Sequence, residues 1–204
     1  MESEETDATL RLSLPQRHGL LTIARWSLET LLADGSMARY QVRDPELEKP
    51  AAAFVTITRQ GNLRGCVGYS DPLFPLHQTV SRCVRSAATE DYRFQPIQPD
   101  ELPELRISIS VLSLFRRVEN LEDILVGREG LLVVRSGRRG LLLPQVASDR
   151  GWDRETFLDA ACRKAGLPND AWRAGDVEVF AFQAEVFFED ETELESGAEV
   201  VVRV

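Results

Sequence analysis

The chain has 204 residues, 43% of them hydrophobic, and carries 33 acidic against 24 basic side chains for a net charge of −9. That is apolar material for one large domain or two small ones, but no cation surplus of the kind that replaces the counterions condensed on nucleic acid. Three widely spaced cysteines, Cys66, Cys83 and Cys162, form neither a disulfide framework nor a paired-cysteine zinc motif, and no apolar run has membrane length.

The charge sits at the ends. Eleven of the 33 acids lie in residues 1–7 and 185–199, and the segment between is near neutral. Residues 1–14 and 189–204 are therefore expected to be acidic tails, with residues 15–188 as the folded domain. MESEETDATL has neither a basic nor an apolar stretch of signal-peptide type, so a reduced, cytoplasmic setting is expected, with no membrane partner.

Leu20, Leu21, Ala24, Leu28, Leu31 and Leu32 recur at helical spacing, with Ser13 and Pro15 suited to the start and Asp34-Gly35 to the stop. RDPELEKP reads as a loop. AAFVTITRQGNLRGCVGYS gives two extended runs around Gly61, a hairpin. After Pro72 and Pro75 a second helical stripe runs through Leu76, Val80, Cys83, Val84, Ala87 and Ala88. LRISISVLS then alternates strictly, placing Leu105, Ile107, Ile109 and Val111 on one face of a strand.

The second half repeats this order. ENLEDILV is expected to contain a short helix, and GLLVVRSGRRGLLLP a hairpin with a Gly- and Arg-rich turn. Phe157, Leu158, Ala161, Cys162 and Ala165 make a helix closed by Gly166, and VEVFAFQAEVFF a last strand. Arg64-Gly65 and Arg139-Gly140 occupy similar places in the two hairpins. The fold class is α+β: two unequal αββαβ-like subdomains, about 15–115 and 116–188, with mainly antiparallel sheets.

Leu63-Arg64-Gly65-Cys66-Val67-Gly68 closely resembles the LRGCIG signature of the AMMECR domain family, and AATEDYRFQPI its AA-x-DPRF-x-P segment. VGREGLLV, GLLLPQVA, WDRETFLDAACRKAGLP and VFAFQAEVF extend the likeness over roughly residues 15–188 in uninterrupted order. The resemblance implies a fold of two unequal subdomains and a protein whose biochemical activity is unsettled. It also implies a pathway link to radical-SAM and Memo-like proteins. Two positions depart from the family pattern: Tyr92 replaces the proline of DPRF, and Ser108 stands where relatives often carry a glutamate. A mechanism that relied on that carboxylate would not operate here.

Strict alternation through the signature would turn Leu63 and Val67 to the core and Arg64 and Cys66 together to the opposite face. Gly65 and Gly68 would then leave room for a ligand, and the Arg64 guanidinium would favour a Cys66 thiolate. The plainer reading is a packing cysteine flanked by glycines that allow a bulge or close sheet contact. Cys83 and Cys162 lie on apolar helix stripes and read as core. His77 would serve Cys66 as a base only if its helix end packed over the hairpin, a capping or solvated role being favoured. His18 has no evident partner. Asp91 and Arg93 could line a pocket, or fasten a helix end. Arg135, Arg138 and Arg139 form a basic turn that need only be solvated, though a phosphate site is conceivable there. Gln145 could offer its amide to a ligand, or cap a turn.

No metal constellation is visible, and the residues name no cofactor. Two functions stay open: an enzyme acting on a small molecule or modified residue through Cys66 beside Arg64, or a non-catalytic module binding a metabolite or protein partner. Nucleic-acid binding is a weaker third.

Overall fold

A computed structural model describes residues 11–189 and 201–203. The chain divides into two units, one comprising Leu10–Val111 with Glu185–Val204 and the other Leu112–Ala184.

In the first unit, helix α1 (Leu14–Asp34) begins at a capping box. The Ser13 hydroxyl accepts the Gln16 N–H, the Gln16 side chain accepts the Ser13 N–H, and Pro15 occupies the first turn. Gly35 ends the helix at φ 78°, a backbone angle that an L side chain rarely adopts. A short strand β1 (Tyr40–Val42) follows, then the hairpin of β2 (Ala53–Arg59) and β3 (Asn62–Tyr69). Its tip is Gln60-Gly61, both residues at positive φ, the two-residue turn whose twist matches a right-twisted ribbon.

Helix α2 (Leu76–Thr89) packs on β2, β3 and α1, burying Leu76, Val80, Cys83, Val84, Ala87 and Ala88. Each fully buried Leu or Val contributes about 1.5–3 kcal/mol relative to exposure, so tertiary packing of this stripe, more than helix propensity, holds α2. After a 3-10 turn at Pro99–Glu104, strand β4 (Leu105–Leu112) pairs antiparallel with β2, its alternate residues Leu105, Ile107, Ile109 and Val111 in the core as their spacing implies.

The second unit holds β5 (Arg116–Arg117), the hairpin β6 (Gly130–Arg135) and β7 (Arg138–Leu142), a short helix α3 (Pro144–Ser148), helix α4 (Arg154–Lys164) and β8 (Glu178–Phe182). The sheet order is β5-β8-β6-β7, and α4 buries Phe157, Leu158, Ala161 and Cys162 against Leu131, Val133, Val179 and Ala181. The hairpin tip, Ser136-Gly137, again has two positive φ angles. The helix expected in ENLEDILV is reduced to a 3-10 turn at Leu121–Asp123.

The last apolar run is not one strand. It breaks at Gln183, whose N–H donates to the Ser113 hydroxyl and whose carbonyl accepts the Ser113 N–H. β9 (Ala184–Phe188) then completes the sheet of the first unit, in the order β3-β2-β4-β9. The first unit thus includes Glu185 onward, a division that differs from the sequential one at residue 115 because β9 pairs with β4.

The two units share more than element order: β3-β2-β4 and β7-β6-β8 are the same arrangement of a hairpin and a third antiparallel strand. Both α+β architecture and antiparallel sheets agree with the sequence reading. Residues 1–10 and 190–200 of the expected tails lie outside the described residues. At the edges of those tails, Leu12 is buried with its N–H donated to Glu185, and Val201–Arg203 form a strand, β10, paired antiparallel with β1. Among the described residues no helix is long and apolar enough to cross a membrane.

Candidate functional site

Strict alternation fails inside the signature. Ile57 pairs with Gly65 but Thr58 with Leu63, so Arg64 is the extra residue of a β-bulge. Beyond the bulge Leu63 shares the Thr58 face and is 41% exposed, correcting its expected place in the core. The bulge also separates Arg64 from Cys66. The Arg64 guanidinium makes a two-pronged contact with Glu101 (Nε to Oε2 and Nη2 to Oε1, both 2.8 Å) and donates Nη1 to the Gln95 carbonyl at 2.8 Å. Glu101 is buried, and Arg64 is the main reason its carboxyl is held down to about 2. Arg59 adds a contact to Glu101 at 3.3 Å and pairs with Glu104. Arg64 therefore ties the connection after α2 to the hairpin, with its guanidinium hydrogen-bonded to Glu101 and to the Gln95 carbonyl.

The glycines do not leave open space. A Cβ at Gly65 would lie 2.1 Å from the Ala87 carbonyl oxygen, and one at Gly68 would meet the Phe54 ring at 2.2 Å and the Ala53 carbonyl at 2.6 Å. Gly65 lets the backbone of α2 approach β3; Gly68 lies under Phe54. Their expected role as a ligand gap is replaced by close packing. Gly140 repeats the device in the second unit, where a Cβ would meet the Ala161 carbonyl at 2.4 Å.

Cys66 lies half-buried on the sheet face opposite α2. Across the sheet it is in register with Thr56 on β2, which is in register with Ser108 on β4. The Thr56 hydroxyl donates to the Cys66 sulfur at 3.3 Å. The departure at Ser108 thus falls in the same polar row as the thiol. Sequence reasoning missed Thr56 because a hairpin closed by Gln60-Gly61 without a bulge would have set it opposite Gly65.

β3 is an edge strand, and the peptide groups of Cys66 are taken by side chains. Its N–H donates to Asp91 Oδ2 at 2.8 Å, and its carbonyl accepts Arg93 Nη2 at 3.4 Å. Arg93 is itself paired with Asp91 through Nε (2.8 Å) and Nη2 (2.6 Å). This pair acts as a surrogate neighbouring strand and covers the edge. The Arg93 hydrogen bonds push the buried Asp91 carboxyl well below its ordinary value, and Asp91 raises that of Arg93. Both candidates stand beside Cys66, holding its backbone. Tyr92 between them is 95% exposed, so the replacement of proline there disturbs no packing.

The other residues separate. His77 is buried with Nδ1 3.3 Å from the Tyr40 hydroxyl and Nε2 3.3 Å from Glu48, not at Cys66. Gln145 belongs to the second unit, in the first turn of α3, where its carbonyl accepts the Ser148 hydroxyl. In the basic turn, Arg135 pairs with Asp176 at 2.6 Å and Arg138 donates to the Gly166 carbonyl at 2.9 Å. Among the described residues no group of three His, Cys, Asp or Glu side chains is placed to hold a metal ion.

Cys83 and Cys162 are fully buried in the cores of their units. Burial pushes the Cys83 thiol up to about 12 and raises that of Cys162. In the native protein at pH 8, iodoacetamide should therefore alkylate Cys66 and spare the other two, with all three reacting in urea. Peptide mass mapping checks this; native labelling of Cys83 at the Cys66 rate would contradict the burial.

Paired hairpin–helix–strand units, one presenting a thiol in a row of hydroxyls, define a two-unit α+β protein with a cysteine-bearing sheet face. The chain belongs to the AMMECR1 family, which it matches over residues 21–187. It is 42% identical over 197 residues to a protein of Thermofilum pendens (88% of this chain, 92% of that one). It is 41% identical over 186 residues to one of Methanothermobacter thermautotrophicus (88% and 97%). A crystal structure of an uncharacterized protein from Pyrococcus horikoshii superposes with a TM-score of 0.78 at 35% identity, covering 91% of this chain and 94% of that one.

Proposed function

We propose that the chain is a thiol-dependent group-transfer enzyme acting on a small molecule or a modified residue, with Cys66 as nucleophile. One observation carries the reading: the half-buried Cys66 sulfur accepts a hydrogen bond from Thr56. The donor holds the sulfur at a fixed place on the sheet face, where an incoming electrophile can meet it. In the forward step the Cys66 thiol gives its proton to solvent, the thiolate bonds to the transferred acyl carbon, and the bond to the leaving group breaks, that group taking up a proton from solvent. Attack by an acceptor nucleophile then releases the product, and the acceptor's proton returns to sulfur. Asp91 and Arg93 are positioning residues that hold the Cys66 backbone for this chemistry.

The net worth of one hydrogen bond, about 0.5–1.5 kcal/mol, corresponds to roughly a twofold to tenfold change in rate. Thr56→Val should slow Cys66 alkylation by iodoacetamide at pH 7 by that factor while leaving the fold intact. Equal rates in the two proteins would remove the basis for an activated thiol.

A second reading, a binding module for a metabolite or protein partner, has its own support. Among the described residues no imidazole or carboxylate lies within hydrogen-bond distance of the Cys66 sulfur, so no general base is in place. Cys66→Ala retaining full cellular function would favour this second reading.

A further inference from the structure

The two hairpins differ at their sheet edges. In the first unit β3 is the edge strand, and the outward N–H and carbonyl of Cys66 are taken by Asp91 and Arg93. In the second unit β7 is an edge strand, and Leu141 stands where Cys66 does, one residue beyond the glycine that meets a helix carbonyl. Bonded pairs alternate along an antiparallel ladder, starting from the pair Arg135 and Arg138 that closes the two-residue turn. That alternation turns the Leu141 N–H and carbonyl outward too. Here the side-chain cap is missing. Asp91 lies four residues past Ala87, whose carbonyl faces Gly65; four residues past Ala161, whose carbonyl faces Gly140, stands Ala165. Leu167 holds the place that corresponds to Arg93. Among the described residues no side chain and no further strand bonds the outward groups of Leu141 or the Leu143 N–H.

The charge beside this edge has one sign. Arg138 on β7 donates Nη1 to the Gly166 carbonyl, and Ala165 lies against Gly140, so the last turn of α4 rests on the strand. That turn carries Arg163 and Lys164, both exposed. Among the described residues none of Arg138, Arg163 and Lys164 has an ion-pair partner. We propose that β7 is a docking edge for an extended acidic segment of a partner protein, which adds to the sheet as a further strand beside Leu141. Main-chain bonds to Leu141 and Leu143 hold the segment, and its acidic side chains meet the three cations. Exposed ion pairs are individually weak, so the ladder bonds carry the contact and the charges choose the partner. The same cations disfavour a second copy of the chain, because pairing β7 with β7 brings like charges together. The proposal is independent of the chemistry at Cys66.

Amide-resolved NMR titration of the full chain tests it with three capped peptides: EVEVEVE, the same peptide N-methylated at every residue, and KVKVKVK. EVEVEVE should give saturable shifts at Leu141 and Leu143 and slow the exchange of the Leu141 amide. The N-methylated peptide, of equal charge but without ladder donors, should bind at least about tenfold more weakly, the effect of one or two lost hydrogen bonds. KVKVKVK should not saturate. Ala165→Asp should supply at Leu141 the acceptor that Asp91 supplies at Cys66 and so abolish EVEVEVE binding. Arg163→Glu combined with Lys164→Glu, on an exposed turn, should weaken it roughly tenfold. Equal binding of any two of the three peptides to the unaltered protein, or no saturation by EVEVEVE below about 1 mM, would overturn the proposal whether or not the variants fold. Shifts of the same amides on raising the protein concentration alone would assign the edge to a second copy, and would overturn it as well.

Discussion

Gly65→Val destabilises the protein by about 3 kcal/mol, the upper part of the range for overpacking a core. The cause is the 2.1 Å separation between a Cβ at this position and the Ala87 carbonyl oxygen. That oxygen belongs to the α2 backbone, so no rotamer change can relieve the clash; the helix must lift from the sheet. Lifting it would loosen the contacts of Val80, Val84 and Ala87 with Val55 and Ile57, all of one core cluster. Even Gly65→Ala carries most of the effect, and Gly140→Ala should behave alike because its Cβ would meet the Ala161 carbonyl at 2.4 Å. Urea denaturation measures this as a lower midpoint at unchanged slope. A Gly65→Ala loss below about 0.5 kcal/mol, the scale of an ordinary surface change, would mean that the α2 backbone yields at Ala87.

Arg64→Ala should cost about 3 kcal/mol, the low end for breaking a buried ion pair, because Arg59 still contacts Glu101. The pH dependence follows from the same contact. The Glu101 carboxyl is held down to about 2 in the folded chain against 4.5 ordinarily, chiefly by Arg64. A depressed carboxylate stabilises the fold fully above its unfolded value, and that contribution is lost as pH falls from about 4.5 toward 2. Arg64→Ala should therefore be less stable at pH 7 and show a shallower acid-induced loss over that window. Its Cys66 should alkylate at the parental rate, since the guanidinium is engaged with Glu101 and Gln95. Intact stability with slowed alkylation would restore Arg64 to the thiol.

Much of the fold was legible because local chemistry and packing agree. The helix start at Ser13 and Pro15, the Gly35 stop, the alternation of Leu105–Val111 and the glycine-bearing hairpin turns are each written in adjacent residues, and each appears in the structure. The split at Gln183 was not legible, because an uninterrupted run of apolar residues does not say which sheet takes each half.

The site divides in the same way. By itself, the sequence determined the α+β class, the buried stripes, the burial of Cys83 and Cys162 and the singling out of Cys66. It also brought forward Asp91 and Arg93, which do stand beside that cysteine. Only tertiary structure decided that Arg64 serves Glu101, that Thr56 serves the sulfur, and that the two glycines seat Ala87 and Phe54. The physical reason is the bulge at Arg64: alternation sets facing within an unbroken strand, but one extra residue shifts both register and facing beyond it.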